Sequence, residues 1–174
     1  VYKRQEMTMK NIIEVQNITK YFDELTALDD LSLKVCDGEI YGLLGSNGAG
    51  KSTTINILLG FLQPEMGKAT INGIDAVTNS NQSRKYIGYI PENVSLYGYL
   101  SGVENLDYFC KLAGKSHTED QLRELLRESG LDDEAHNKRI KTYSKGMRQK
   151  VGIAIALAKK AKVYLLDEPA SGLD

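Results

Sequence analysis

The first half of the chain shows the alternation of apolar and polar residues that is typical of β-strands. The pattern extends from Ile12 to Val35 and is most regular at Leu31, Leu33 and Val35, which are separated by polar residues. Such alternation gives a strand one buried and one solvated face. Further short strands are predicted over residues 40–44, 68–74 and 86–90, and a helix over residues 53–59 with Gly60 as its C-terminal cap.

The pattern changes over residues 92–148, where apolar residues recur at helical spacing. Ser101 followed by Glu104 is a capping-box pattern, and Thr118 followed by Gln121 repeats it. In a capping box the two side chains satisfy backbone N–H groups at the start of a helix. Two helices are therefore predicted to begin at these positions.

One more helix and one more strand are predicted near the end of the chain. The helix runs from Ser144 to about Lys160 and has a buried apolar stripe. The run Val163–Leu166 is continuously apolar, as expected for a strand of a parallel sheet that is buried on both faces.

Composition adds few constraints. The 174 residues include 41% hydrophobic residues, enough for one ordinary domain, and carry a net charge of −1. This balance gives no electrostatic reason to expect nucleic acid as a partner. The longest apolar run in the second half, residues 151–158, is much shorter than the roughly 20 residues of a membrane-spanning helix. No membrane span is predicted.

The cysteines and histidines show no metal-site or disulfide pattern. Cys36 and Cys110 are interpreted as packing residues, and His117 and His136 lie among polar residues and are predicted to be solvated rather than catalytic. Residues 1–10 are expected to be a disordered or non-native tail, and the chain is expected to be a C-terminally truncated fragment of a longer protein.

A phosphate-binding loop is predicted at residues 45–52. The segment GSNGAGKS matches the pattern G-x-x-x-x-G-K-[ST] and lies between a predicted strand and a predicted helix. Glycines allow successive backbone N–H groups to converge on an anion, and the following helix adds its positive end. Lys51 can reach the β- and γ-phosphates, Ser52 can bind Mg²⁺, and Thr53 fits the α-phosphate side.

An acid pair follows the predicted strand Val163–Leu166. Asp167 and Glu168 are adjacent, so their side chains diverge. Asp167 fits the Mg²⁺-binding carboxylate of P-loop enzymes, and Glu168 fits a general base that accepts a proton from the attacking water. Acid pairs also occur in solvated turns, and the phosphate loop upstream is what favours the catalytic interpretation.

The order of these motifs resembles the ATP-binding cassette of ABC transporters. Residues 143–149 (YSKGMRQ) resemble the family's signature, residues 171–174 (SGLD) its D-loop, and residues 90–92 (IPE) lie where its Q-loop is expected. Phe22 matches the aromatic residue that stacks on adenine, with Tyr21 as the alternative. The resemblance extends over nearly the whole chain from about Ile12.

The resemblance implies that two cassettes pair head to tail and enclose two ATP molecules, each phosphate loop facing the other cassette's signature. The residues expected to contact the cassette's own nucleotide are Phe22, Gly45, Ser46, Asn47, Gly48, Ala49, Gly50, Lys51, Ser52 and Thr53. The residues expected to contact the other cassette's nucleotide are Ser144, Lys145, Gly146 and Met147, and Asp174 belongs to the D-loop. The expected Mg²⁺ ligands are Ser52, Asp167 and Glu92.

The chain departs from the family pattern in three places. Glu92 stands where a glutamine is usual, and a carboxylate cannot donate a hydrogen bond as an amide does. Lys145 replaces the first glycine of the signature, a form that resembles single-cassette subunits of ABC-2-type exporters. The family's switch histidine is expected beyond Asp174, and neither His117 nor His136 lies in the right region to replace it.

The expected fold class is α/β, with a P-loop NTPase core, a mostly parallel sheet, an N-terminal antiparallel β subdomain and an inserted α-helical subdomain. Residues 11–91 and 149–174 would form the ATP-binding core with the antiparallel subdomain, and residues 92–148 the helical signature subdomain.

The expected function is an ATP-hydrolysing subunit that energises an ABC membrane transporter, with export as the expected direction. Its cofactors would be ATP and Mg²⁺. Its partners would be a second cassette, identical or paired, and a separate transmembrane permease, at the cytoplasmic face of the membrane and without nucleic acid. The alternatives are a soluble ABC ATPase that acts on a ribosome or DNA-repair complex, and a fragment that binds nucleotide without useful turnover.

Overall fold

The computed structural model describes residues 10–168. Contacts between these residues divide them into two compact units, with the boundary between Tyr86 and Ile87. The predicted grouping of residues 11–91 with 149–174, apart from 92–148, stays a prediction.

The first unit is built on an antiparallel sheet of four strands in the order β2-β1-β3-β4. Its elements are β1 Asn11–Phe22, β2 Leu25–Cys36, α1 Lys51–Leu58, β3 Met66–Ile71, β4 Ile74–Asp75, α2 Ser80–Ser83 and a 3₁₀ turn Arg84–Tyr86. Helix α1 packs on the sheet, where Ile57 shares a buried core with Val15, Ile18 and Leu28. This core anchors the helix that directly follows the predicted phosphate loop.

The second unit combines a pair of parallel strands with three helices. Its elements are β5 Ile87–Ile90, α3 Gly102–Leu112, α4 Glu119–Glu128, 3₁₀ turns Asp133–Ala135 and Ile140–Thr142, α5 Lys145–Lys159 and β6 Val163–Leu166. Strand β5 pairs with β6 from Ile87–Val163 to Ile90–Leu166. Leu106, Leu126 and Val151 lie fully buried where the three helices meet.

The predicted helix starts are confirmed. Ser101 accepts a hydrogen bond from the backbone N–H of Glu104, and the Glu104 carboxylate accepts one from the backbone N–H of Ser101. Thr118 and Gln121 form the same reciprocal pair at α4. Capping is encoded within four residues, so the sequence alone suffices to find it.

The predicted strand over residues 40–44 is wrong. This segment belongs to neither of the two sheets formed by residues 10–168, and the side chains of Ile40 and Leu44 are 99% and 93% exposed. An apolar run becomes a strand only when neighbouring strands supply hydrogen bonds and a surface to pack against. Within the described residues, this run has neither.

The expected burial of β6 on both faces is also wrong. Val163 and Leu165 are buried, whereas Tyr164 and Leu166 are 40% and 43% exposed. An apolar run is compatible with burial on both faces but does not create the second covering layer.

His136 is not solvated, contrary to the sequence interpretation. Its side chain is fully buried, and Nε2 lies 3.0 Å from the carbonyl oxygen of Leu131. Because the carbonyl is an acceptor, this contact requires a proton on Nε2. The polar neighbours in sequence were misleading, since the 3₁₀ turn Asp133–Ala135 directs Ala135 and His136 inward while the polar residues on either side are exposed.

Candidate functional site

The predicted phosphate loop has a backbone that requires glycine. Gly48 and Gly50 have φ angles of 85° and 84°, in the left-handed region that other residues rarely adopt. At Gly50 there is also no room for a side chain, because an added Cβ would lie 2.5 Å from Leu28 Cδ2 and 2.6 Å from the carbonyl oxygen of Ala27. The motif glycines therefore follow from the loop's geometry.

Lys51 lies across this loop. Its ammonium group donates hydrogen bonds of 2.8 Å to the carbonyl oxygens of both Gly45 and Ser46. The loop is closed further by a 3.1 Å hydrogen bond from the backbone N–H of Ala49 to the carbonyl of Ser46. The lysine charge is thus held at the loop itself, where a phosphate group would meet it.

Helix α1 begins at this loop and adds a positive end. Gly50 is its N-cap, and its first turn contains no acidic residue. Ser52 is exposed and Thr53 half-buried, whereas Thr54 is buried and donates from Oγ1 to the carbonyl of Gly50 at 2.9 Å. A lysine, a glycine-rich turn and an uncompensated helix N-terminus together form a cradle for a polyanion, and their chemistry fits a nucleotide triphosphate.

The predicted adenine-stacking residue lies at the end of β1. The rings of Phe22 and Tyr21 are 42% and 45% exposed, so both are accessible to a base. Lys20 Nζ lies 5.3 Å from the Phe22 ring centre and forms a 2.7 Å ion pair with Glu65. Glu65 also accepts a hydrogen bond from the backbone N–H of Tyr21. These contacts fix the strand end that carries both aromatic rings.

The predicted acid pair continues directly from β6. The backbone N–H of Asp167 donates to the carbonyl of Ile90 at 3.0 Å, which extends the pairing with β5. Asp167 is half-buried and Glu168 exposed, so the two carboxylates have different surroundings. Burial and the nearby charge of Asp167 raise the pKa of Tyr89 on the neighbouring strand.

Glu168 has an unusual backbone. Its φ angle is 46°, in the left-handed region, which costs a residue with a side chain conformational energy. Strained residues of this kind cluster at functional sites. The feature agrees with a functional role for Glu168 that the sequence motif predicts.

The predicted signature forms the start of α5. Ser144 is the N-cap, and its hydroxyl accepts a hydrogen bond from the backbone N–H of Met147 at 3.2 Å. Lys145 and Gly146 occupy the first turn and are half-buried, and no acidic residue is present in that turn. The helix therefore presents a positive end at the predicted signature.

The two residues that depart from the family pattern contact each other. Lys145 Nζ lies 3.2 Å from Glu92 Oε1, although the residues are 53 positions apart. Sequence reasoning identified each departure but missed their pairing. The opposite charges at the two positions were the available signal.

Most of the chain matches one protein family. The model of the ABC transporter family matches residues 28–171. The chain belongs to the ABC transporter family. The matched range includes the phosphate loop, the signature-like segment and the acid pair, so the resemblance seen in the sequence is confirmed.

Individual relatives of this ABC family chain are close in sequence. It is 42% identical over 166 residues to an uncharacterized ABC transporter ATP-binding protein, YhcH, of Bacillus subtilis (strain 168), an alignment that covers 95% of this chain and 54% of that protein. It is 39% identical over 166 residues to the bacitracin transport ATP-binding protein BcrA of Bacillus licheniformis, with the same coverage. The chain therefore spans about half the length of these relatives.

A solved cassette confirms the predicted fold class. The dimeric ATP-binding cassette MJ0796, in a post-hydrolysis state bound to ADP and Pi, matches with a TM-score of 0.80 and 27% identity. The match covers 93% of this chain and 76% of that one.

Some predicted features of the ABC cassette remain predictions. Asp174 of the expected D-loop lies outside the described residues. The convergence of the phosphate loop with Asp167 and Glu168 on one nucleotide stays a prediction, as do the individual residue roles. Among residues 10–168, no group of three or more His, Cys, Asp or Glu side chains could hold a metal. Mg²⁺ commonly binds through only one or two carboxylates together with substrate phosphates.

Gln149 is the last residue of the signature-like segment 143–149, and the sequence analysis gave it no role of its own. Its side chain is 2% exposed, and neither end of its amide has a hydrogen-bond partner among residues 10–168. No spacing rule distinguishes it from the solvated polar residues of the same helix.

Among residues 10–168, none of the helices combines the length and apolar character needed to cross a bilayer.

Proposed function

We propose that this chain is the nucleotide-binding part of an ATPase that drives an ABC membrane transporter. The observation that carries the proposal is the phosphate loop, in which Lys51 spans the carbonyls of Gly45 and Ser46 beside an uncompensated helix N-terminus. Family membership supports ATP as the polyanion, because the match includes this loop.

Five of the predicted site residues have assigned roles in the proposed reaction. Lys51 holds the β- and γ-phosphates, Ser52 and Asp167 provide oxygen ligands for Mg²⁺, and Glu168 accepts the proton of the attacking water. Phe22 stacks on adenine. Mg²⁺ supplies charge neutralisation at the phosphates.

The active unit is proposed to be a pair of cassettes. The start of α5 supports this, since an N-capped helix without acidic residues in its first turn suits a phosphate presented by another subunit. The similar cassette MJ0796 is dimeric in a structure with ADP and Pi. ATP would close the dimer, and hydrolysis would reopen it.

The proposed partner is a separate transmembrane permease, with the cassettes at the cytoplasmic face of the membrane. Export is the favoured direction, supported by the exporter-like signature form around Lys145 and by the relative BcrA, named for bacitracin transport. The transported compound would be selected by the permease.

Two variants of the full-length protein test the proposal. Lys51→Ala removes the cation of the loop and is expected to abolish ATP binding, measured by equilibrium dialysis with labelled ATP. Glu168→Gln keeps the shape but removes the base, so ATP binding persists, hydrolysis is lost and an ATP-bound dimer accumulates in light scattering. Normal turnover by Glu168→Gln would show that the general base is another residue, and ATP binding by Lys51→Ala would contradict the loop assignment.

A further inference from the structure

The ion pair between Lys145 and Glu92 joins two segments that are predicted to serve nucleotides. Glu92 follows β5 by two residues, and Lys145 is the first residue of α5. Their charged atoms lie 3.2 Å apart, and their side chains are 42% and 37% exposed. The contact links the predicted Q-loop position to the predicted signature within one unit of the chain.

A lysine at the start of a helix is electrostatically unfavourable. The helix N-terminus carries a partial positive charge, so a cation in the first turn is repelled and an anion is attracted. The first turn of α5 contains no acidic residue. The carboxylate of Glu92 therefore compensates both Lys145 and this end of α5.

The pair is also weak enough to exchange partners. Ion pairs between partly exposed side chains contribute little to stability, because water solvates each charge well. A terminal phosphate group carries a larger negative charge than the Glu92 carboxylate, and it offers a cation three acceptor oxygens where the carboxylate offers two. A phosphate that reached the start of α5 would compete effectively with Glu92 for Lys145.

We propose that Glu92 is a positioning residue that holds Lys145 at the start of α5 in the nucleotide-free cassette. When two cassettes close, Lys145 leaves Glu92 and binds the terminal phosphate of the ATP held by the other cassette. Glu92 thus acts as an internal anion that must be displaced for closure. This inference rests on the proposed function, because it requires ATP-driven pairing.

The test measures dimer formation by the full-length protein against the concentration of a non-hydrolysable ATP analogue with Mg²⁺. Glu92→Gln removes the competing charge without changing the side chain's size, and it should lower the half-saturating concentration by about two- to fivefold, the range that an exposed ion pair allows. Lys145→Gln removes the cation and should raise that concentration by about tenfold. Lys145→Arg keeps the charge and should behave like the wild type.

A double variant shows whether Glu92 and Lys145 act through their ion pair or independently of each other. In the Lys145→Gln background, adding Glu92→Gln should leave the corrected curve unchanged, because the carboxylate then has no lysine to hold and any effect through Mg²⁺ at the protein's own phosphate loop is removed by the correction. Binding of the analogue to each protein's own phosphate loop is measured at concentrations too low for dimers and used to correct the curves. Thermal unfolding shows whether each variant is folded.

The outcomes distinguish this inference from the function on which it rests. If Glu92→Gln requires an equal or higher corrected analogue concentration than the wild type, or still shifts the curve in the Lys145→Gln background, the inference is wrong and the proposed function stands. If the wild type forms no dimer with the analogue, both are wrong.

Discussion

Replacing Gly50 with alanine tests the geometry of the phosphate loop directly. Gly50 and Gly48 have nearly the same φ angle, 84° and 85°. They differ in their surroundings, because a Cβ at Gly48 would meet nothing within 4 Å, whereas one at Gly50 would meet the carbonyl oxygen of Ala27 at 2.6 Å. Gly48→Ala is therefore a matched control that changes the backbone preference alone.

The magnitudes follow from these two terms. An alanine in the left-handed region costs about 1–2 kcal/mol, and a lower chain entropy in the unfolded state returns about 0.4–1 kcal/mol. Gly48→Ala should therefore lower the free energy of unfolding by about 1 kcal/mol. Gly50→Ala adds overpacking against Ala27 and the buried Leu28, which costs about 1–3 kcal/mol more.

Urea unfolding followed by circular dichroism gives both free energies, and equilibrium dialysis gives ATP affinity. Gly50→Ala should be less stable than Gly48→Ala by about 1–3 kcal/mol and should lose most ATP binding, since the loop must shift to relieve the contact. Equal unfolding free energies for the two variants would refute the reasoning, because they would mean that no backbone oxygen approaches Gly50.

Three further substitutions test a helix cap, a buried hydrogen bond and an ion pair. Ser101→Ala removes the N-cap of α3 and should lower the free energy of unfolding by about 1 kcal/mol in urea titrations; no change would mean that this cap is replaced by water. Tyr143→Phe leaves the carbonyl of Ala135 without its buried donor, so a loss of about 1–3 kcal/mol is expected in the same assay, and a neutral result would contradict the hydrogen bond. The hydrogen bond from Lys20 lowers the pKa of Glu65 from its usual 4.5, so its stabilisation is complete above that pH and is lost as the pH falls through the lower folded-state pKa. The stability difference between wild type and Glu65→Gln should therefore shrink as the pH falls through that folded-state pKa, and a difference that stayed the same from neutral to strongly acidic pH would rule out the charge as its source.

The predictions that succeeded depend on neighbours in sequence. The capping boxes at Ser101 and Thr118 are each fixed by four consecutive residues. A glycine at positive φ or an N-cap hydroxyl acts within its own turn. For such features the sequence contains all of the relevant partners.

The failures all concern burial, which depends on partners far away in sequence. Ile40, Leu44 and Tyr164 are hydrophobic yet exposed, because hydrophobic character gives a residue a preference but not a covering layer. The prediction for His136 is wrong in the opposite direction, since its polar neighbours suggested an exposed side chain, whereas the 3₁₀ turn buries the ring.

The pairing of Glu92 with Lys145 shows how a departure from a family pattern gains meaning from structure. Taken singly, each substitution weakens a motif. The carboxylate of Glu92 cannot donate the hydrogen bond that an amide donates, and the cation of Lys145 is repelled by the positive end of a helix. Taken together, the substitutions introduce opposite charges whose atoms lie 3.2 Å apart. The carboxylate of Glu92 offsets the charge that Lys145 adds at the positive end of α5, so we interpret the two departures as one change. Glu92→Gln and Lys145→Gln should therefore have opposite effects on cassette pairing, whereas two independent losses of motif would weaken it alike.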